Sequence, residues 1–275
     1  MGGLSEREIR SFRSTIRRFY RSHGRSFRWR ETRDPYAILV SEVMLQQTQT
    51  ERVEPKYQEF LHRFPDFETL AKAPAGAVLT AWQGLGYNRR ALALQRCARE
   101  VISQHEGALP EDPTALVELP GIGPYTAGAV AVFAFDRSAV FIETNIRTVF
   151  IHFFFPKRRR VRDSEIVPLV ARTLPRRDVR RWYYALMDYG VMLKRTHPQI
   201  SRRSAHYNPQ PPFQGSRRQI RGGVLRLIAR GGGCSRVEIE NGVRCPRGVL
   251  DEVLKELCRE GFITSSGGAY RFAEA

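Results

Sequence analysis

Leu119–Gly128 reads LPGIGPYTAG. Before it, TALVEL follows Pro113 and suits a short helix, since proline is tolerated in a first helical turn. After it, TAGAVAVFAF is a run of small and apolar residues that suits a tightly packed helix. GIGP breaks one from the other. Gly121 and Gly123 allow backbone close to a ligand, and the second helix points its positive end back at the turn. Together these features make a phosphate site that ignores base sequence. A plain helix–turn–helix corner fits the same residues, because short glycine motifs match readily by chance.

Working outward, most of the chain reads as helix. Ser5 with Glu8 forms a capping box, and Ile9, Phe12, Ile16 and Phe19 recur at helical spacing. Pro35 opens a helix through AILVSEVMLQQTQ, Asp66 caps FETLAKA, and NRRALALQRCAREVISQH follows the glycines of GLGY. Val179, Trp182, Tyr183, Leu186 and Gly190 line one face of a later helix. Residues 198–215 are rich in proline and polar residues and read as a linker. Beyond them, RRQIRGGVLRLIAR and PRGVLDEVLKELCREG read as helices, and FITSSGGAYRF as a hairpin turning at Gly267-Gly268. Two helices and a small hairpin resemble a winged helix-turn-helix. The expectation is an all-α chain: a helical domain at 1–197, a basic linker at 198–215 and a winged-helix-like domain with a β-hairpin at 216–275.

Forty-five Lys and Arg against 28 Asp and Glu give a formal charge of +17. Such a balance points to a polyanionic partner, nucleic acid first. From Tyr189 through Val237 there is no acid and there are ten Lys or Arg, which raises the odds of a phosphate-tracking surface over a merely solvated face. No apolar run approaches the roughly 20 residues of a membrane span, and the first residues carry no apolar signal region. Cys97, Cys234, Cys245 and Cys258 form no CxxC pair, so no metal site is expected and reduced thiols in a cytoplasmic protein are the plain reading.

Two carboxylates stand out. Glu42 in LVSEVMLQQTQT has Ile38, Leu39, Val43 and Leu45 as near neighbours on a helix. Enclosure there raises a carboxyl pKa and makes a general acid available near neutral pH; a paired structural acid is the alternative, with so many bases at hand. Gln46, Gln47, Thr48 and Gln49 form a polar patch one turn on. Glu143 in FIETNIRTVF follows the apolar AVFI. It is either a helix cap, a role that aspartate or the adjacent Thr144 fills better, or the partner of Glu42, since two carboxylates in unlike surroundings can divide the work of glycoside cleavage.

These residues resemble a known family. LPGIGPYTAG followed by a carboxylate is similar to the helix-hairpin-helix (HhH-GPD) DNA glycosylases, which have a Gly/Pro-rich loop and a catalytic acid. EVMLQQTQT and WQGLGYNRRA resemble the A/G-mismatch adenine glycosylase branch. The resemblance covers about residues 25–195. It implies an all-α, two-lobed domain that acts, as a monomer, on double-stranded DNA bearing a mismatch or lesion, and a target nucleotide flipped out of the stack. Carried over by position, Glu42 protonates the leaving adenine, Glu143 stands at the catalytic aspartate, and Asn145 helps hold the reacting centre. Gln47 and Tyr87 insert into the base stack, and Gly121 and Gly123 grip phosphate. Thr48, Arg89, Arg90 and Thr126 join them on the DNA-binding side. Tyr125 stands where bifunctional relatives carry a lysine, and tyrosine forms no Schiff base, so base excision without strand cleavage is implied. A tyrosine there also occurs among mismatch thymine glycosylases, which leaves thymine or uracil as the alternative base; a non-catalytic binder of damaged DNA is the other reading. Three departures follow: glutamate replaces aspartate, the cysteines of the usual iron–sulfur cluster are missing from VMLKRTHPQISRRSAHY, so no cofactor is expected, and the C-terminal domain differs from the one that reads 8-oxoguanine in the adenine branch.

Overall fold

The structure, a computed structural model, describes residues 4–209 and 212–273. Gln210 and Pro211 of the expected linker, and the ends at 1–3 and 274–275, lie outside the described residues. The fold is mostly helical. In order, the elements are α1 (Glu6–His23), α2 (Arg28–Glu31), α3 (Pro35–Leu45), α4 (Thr50–Arg63), α5 (Phe67–Lys72), α6 (Ala75–Ala81), α7 (Arg89–Gln104), α8 (Pro113–Glu118), α9 (Pro124–Phe135), α10 (Thr144–Phe154), α11 (Asp163–Thr173) and α12 (Val179–Thr196). A 3-10 turn at Ile200–Arg203 follows, then α13 (Arg217–Gly231), β1 (Cys234–Ser235), α14 (Arg236–Gly242), α15 (Arg247–Arg259), β2 (Ile263–Ser266) and β3 (Ala269–Phe272). None of the described helices is long and apolar enough to cross a membrane. The chain divides into two compact units, Met1–Leu39, Pro110–Glu118 and Ile122–Pro209, and Val40–Leu109, Leu119–Gly121 and Gln210–Ala275.

The first unit is built around α1, α10 and α12. The Ser5–Glu8 capping box starts α1, and Ile9, Phe12 and Ile16 are buried along one face, as their spacing dictates. Phe12 meets Phe150 and Trp182 edge-on at 5.4 and 5.7 Å. Gly190 lets α12 lie directly on the first turn of α10: a Cβ there would stand 2.4 Å from the Asn145 carbonyl oxygen. Asp188, buried on α12, pairs with Arg25 at 2.8 Å and Arg30 at 2.9 Å. Burial pulls its carboxyl up, but the Arg30 and Arg25 contacts outweigh this and hold it below the ordinary value.

In the second unit, Trp82 and Phe60 form the centre of the α4–α6 core, edge-on at 5.7 Å. The Gln95 amide of α7 donates to the carbonyls of Ala73 (2.6 Å) and Leu70 (3.3 Å), which closes the end of α5. Cys97 is buried in α7, and burial pushes its thiol up to about 12. The expected hairpin is present as β2 and β3, turning at Gly267 and Gly268, both at positive φ. β1 adds to β3, giving the antiparallel order β1-β3-β2. α14, which periodicity does not pick out, starts on a Ser235–Glu238 capping box. β3 packs on α6, where Gly76 makes room for Phe272: an added Cβ would meet that ring at 2.7 Å.

Candidate functional site

The expected site residues fall into two groups, one in each unit. In the first unit the chain from α9 to α10 is pinned before it reaches Glu143. Phe141 stacks on Tyr183 with ring centroids 3.9 Å apart, and Gly128 of α9 admits it, since a Cβ there would lie 2.9 Å from the Phe141 Cβ. The Tyr183 hydroxyl donates to the Ala139 carbonyl at 2.8 Å and accepts from the Phe141 N–H at 3.3 Å. Two residues later Glu143, in extended backbone, is the N-cap of α10. Its Oε1 accepts from the backbone N–H groups of Asn145 and Ile146, both at 2.8 Å, and its Oε2 accepts from the Asn145 side-chain amide at 3.1 Å. Thr144 does not take the cap; it is the first helical residue.

Capping and chemistry are therefore not alternatives for Glu143. The side chain is half-buried, and three donors fix its orientation, so it can present a charge to a reacting centre without reorganising first. Asn145 is part of that clamp. Tyr125, half-buried in the first turn of α9, stands edge-on to Phe141 at 5.7 Å. Sequence reasoning missed Lys194. It lies half-buried on α12, one turn beyond Gly190, in the field of Glu143 and Arg147. Burial pulls its amine below the ordinary value, Glu143 draws it up, and Arg147 pushes it down. The i, i+4 spacing from Gly190 is the signal that would have found it.

The turn between α8 and α9 is resolved into two different glycines. Gly121 has φ +80°, and a Cβ on it would sit 2.7 Å from that of Ala93 in the same unit. Backbone conformation and packing both demand glycine there. Gly123, the N-cap of α9, has nothing within 4 Å of an added Cβ, so internal packing leaves it open to a ligand. Thr126 is buried in α9, away from solvent.

In the second unit, Glu42 is buried on α3, only 4% exposed, among Ile38, Leu39 and Val43, which are buried as well. Two following positions are unusual. Gln47 and Tyr87 are exposed non-glycine residues at positive φ, 55° and 47°, a conformation that costs about 1–3 kcal/mol and persists only when its surroundings over-determine it. Arg90 supplies those surroundings. Its Nη1 donates to the carbonyls of Val43 (2.7 Å), Met44 (2.9 Å) and Gln46 (2.6 Å). Its Nη2 donates to the Thr48 hydroxyl (3.0 Å) and to the carbonyls of Leu85 (3.4 Å) and Gly86 (3.1 Å). One guanidinium thus ties the end of the Glu42 helix to the loop carrying Tyr87, through the carbonyls just before both strained residues. Burial draws its pKa down to about 10, leaving it charged at neutral pH.

Arg90 and Thr48, expected on the DNA side, are therefore directed inward as the knot behind Gln47 and Tyr87, and exposed Arg89 pairs with Glu260 at 2.6 Å. Replacing Arg90 by Met strands the carbonyls it serves. The expected loss is about 2–4 kcal/mol of unfolding free energy in urea. Arg90→Lys, which lacks the planar fork, recovers only part of it. A loss below about 1 kcal/mol would contradict the knot.

The segment 191–207 contains no thiol, and among the described residues no cluster of His, Cys, Asp and Glu could hold a metal ion. These residues do not fit a cysteine-held iron–sulfur cluster. Arg203 ties this segment down instead, through the carbonyls of Arg158 (2.7 Å) and Phe155, beside a short backbone pairing of Val161 with Ser204.

Comparison with known proteins bears on this arrangement. Residues 40–168 match the family model of the HhH-GPD superfamily base excision DNA repair protein. The adenine DNA glycosylase of Buchnera aphidicola subsp. Baizongia pistaciae is 33% identical over 187 residues, which are 66% of this chain and 52% of that protein. The thymine/uracil-DNA glycosylase of Methanothermobacter thermautotrophicus is 34% identical over 155 residues, 56% of this chain and 70% of that protein. A solved thermostable thymine-DNA glycosylase superposes with a TM-score of 0.61 at 29% identity, covering 68% of this chain and 87% of the other. The chain thus spans about half the length of the first of these relatives.

Proposed function

Because the chain belongs to the HhH-GPD superfamily of base excision DNA repair proteins, we propose that it is a monofunctional DNA N-glycosylase that removes a mispaired base, preferably adenine, from double-stranded DNA. The observation that carries this reading is Glu143, clamped by three donors at the start of α10, directly after the pinned Phe141.

In this mechanism the target nucleotide leaves the stack while Gln47 and Tyr87 occupy the gap. Glu42 gives a proton to the departing base as the bond from C1′ to the base nitrogen breaks, and the bonding pair leaves with the base. Glu143 stabilises the cationic sugar through its charge, and water adds at C1′, losing its proton to a carboxylate. Asn145 and the α10 amides keep Glu143 aimed, and Gly123 lets the backbone approach a phosphate. One chain carries every group used, and the monomer is the working form in this proposal.

Adenine is preferred because EVMLQQTQT and WQGLGYNRRA resemble the adenine branch. Mispaired thymine or uracil is the second reading, favoured by the thymine/uracil glycosylase of which this chain covers 70%. With Tyr125 where a Schiff-base lysine would stand, the product is an intact abasic site. Borohydride added during turnover is expected to trap no protein–DNA adduct, and the strand to break only after hot alkali. A trapped adduct, or breaks without alkali, would overturn the monofunctional assignment.

A further inference from the structure

The excision reading assigns no task to α13. The helix carries five arginines and no acid, and three features set its orientation within the second unit. Phe272 seats the sheet on Gly76 of α6. Arg221 of α13 and Arg89 of α7 both bind Glu260, each with a donor at 2.6 Å. Arg218 donates to the Tyr87 hydroxyl at 2.8 Å, its guanidinium 5.6 Å from the centre of that ring. The start of α13 therefore touches the residue assigned to the base stack.

The charge on α13 is unequally compensated. Arg217 and Arg221 lie on the edge facing α15, where Glu252, Glu256 and Glu260 meet them. The other edge is the i, i+4 line of Arg218, Gly222, Arg226 and Arg230. Arg226 and Arg230 are exposed, and no carboxylate pairs with them among the described residues. Gly222, in mid-helix, has no positive φ and nothing within 4 Å of an added Cβ. Glycine weakens a helix relative to alanine, and nothing inside the molecule asks for it here. A bare patch of backbone between arginines suits a partner that comes close. The line runs about 18 Å from Arg218 to Arg230 at 1.5 Å per residue, long enough for several phosphates of one DNA strand.

We propose that the Arg218–Gly222–Arg226–Arg230 edge of α13 is a second surface for duplex DNA, gripping the phosphates that flank the nucleotide at Tyr87. The C-terminal module then extends the footprint from the Tyr87 side and contacts backbone rather than base edges. The proposal rests on the glycosylase reading for the place of Tyr87 on DNA.

The test uses the full chain, a duplex with one A·G mismatch and its fully paired counterpart, with affinity measured from about 50 to 200 mM salt. Arg226→Gln with Arg230→Gln is expected to reduce the slope of log affinity against log salt by about 2, since each phosphate contact contributes about 0.9, and equally on both duplexes. Gly222→Glu, which has room to fold, is expected to weaken binding at least about 10-fold by placing a like charge against phosphate. An unchanged slope together with unchanged affinity for the Gly222 variant overturns the proposal and leaves α13 to solvent or a protein partner. The wild type's abasic-site yield is scored separately. A chain that binds with the full slope and excises nothing would refute the glycosylase reading while leaving the surface in place.

Discussion

Glu143→Gln is expected to lower the single-turnover rate of base excision by about 1,000-fold, within the range for losing one preorganised electrostatic group. Duplex affinity should hold or tighten. The substitution is informative because it separates the two tasks of this residue. A glutamine Oε1 still accepts from the Asn145 and Ile146 amides, so α10 keeps its cap and stability should change by less than about 1 kcal/mol. What disappears is the negative charge that faces the sugar cation. If Glu143 were only a cap, the rate would survive. If it were only catalytic, Glu143→Ala would leave stability untouched; the 2.8 Å contacts instead lead us to expect a loss of about 1 kcal/mol for that variant.

The second large effect falls on Glu42. Glu42→Gln preserves shape in a buried position but removes the transferable proton, and excision of adenine should fall by about 100-fold or more. The defect should shrink on a duplex carrying 7-methyladenine, because that ring is already cationic and leaves without a proton. An equal defect on both substrates would show that Glu42 holds the site together and does not act as its acid. Its burial beside Ile38, Leu39 and Val43 makes the chemical comparison necessary, since a buried polar group can serve structure instead of chemistry.

Much of this architecture is legible in the residues. The Ser5–Glu8 capping box, Pro113 and the Gly267-Gly268 turn mark element ends because they act locally, through one dihedral or one hydrogen bond. α14 was equally legible from Ser235 and Glu238, but it is too short for periodicity to reveal. Arg90 was not. Two arginines at the start of a helix look like phosphate ligands, and only the assembled fold gathers carbonyls from 43, 44, 46, 85 and 86 around one of them. Arg218 and Tyr87 are far apart in the chain, and their contact is likewise tertiary. For Glu143 the sequence posed cap against catalyst as alternatives; the structure makes the cap the means by which the carboxylate is aimed.

The most direct measurement is abasic-site formation by the unmodified protein on single-mismatch duplexes: adenine opposite guanine or 8-oxoguanine, and thymine or uracil opposite guanine. Protein in excess and hot alkali reveal each site. The account predicts breaks at the mispaired adenine, absent from the paired control and formed about 1,000-fold more slowly by Glu143→Gln. Firm binding to these duplexes with no abasic product on any of them would contradict it, and would mean that glutamate at position 143 does not perform the step.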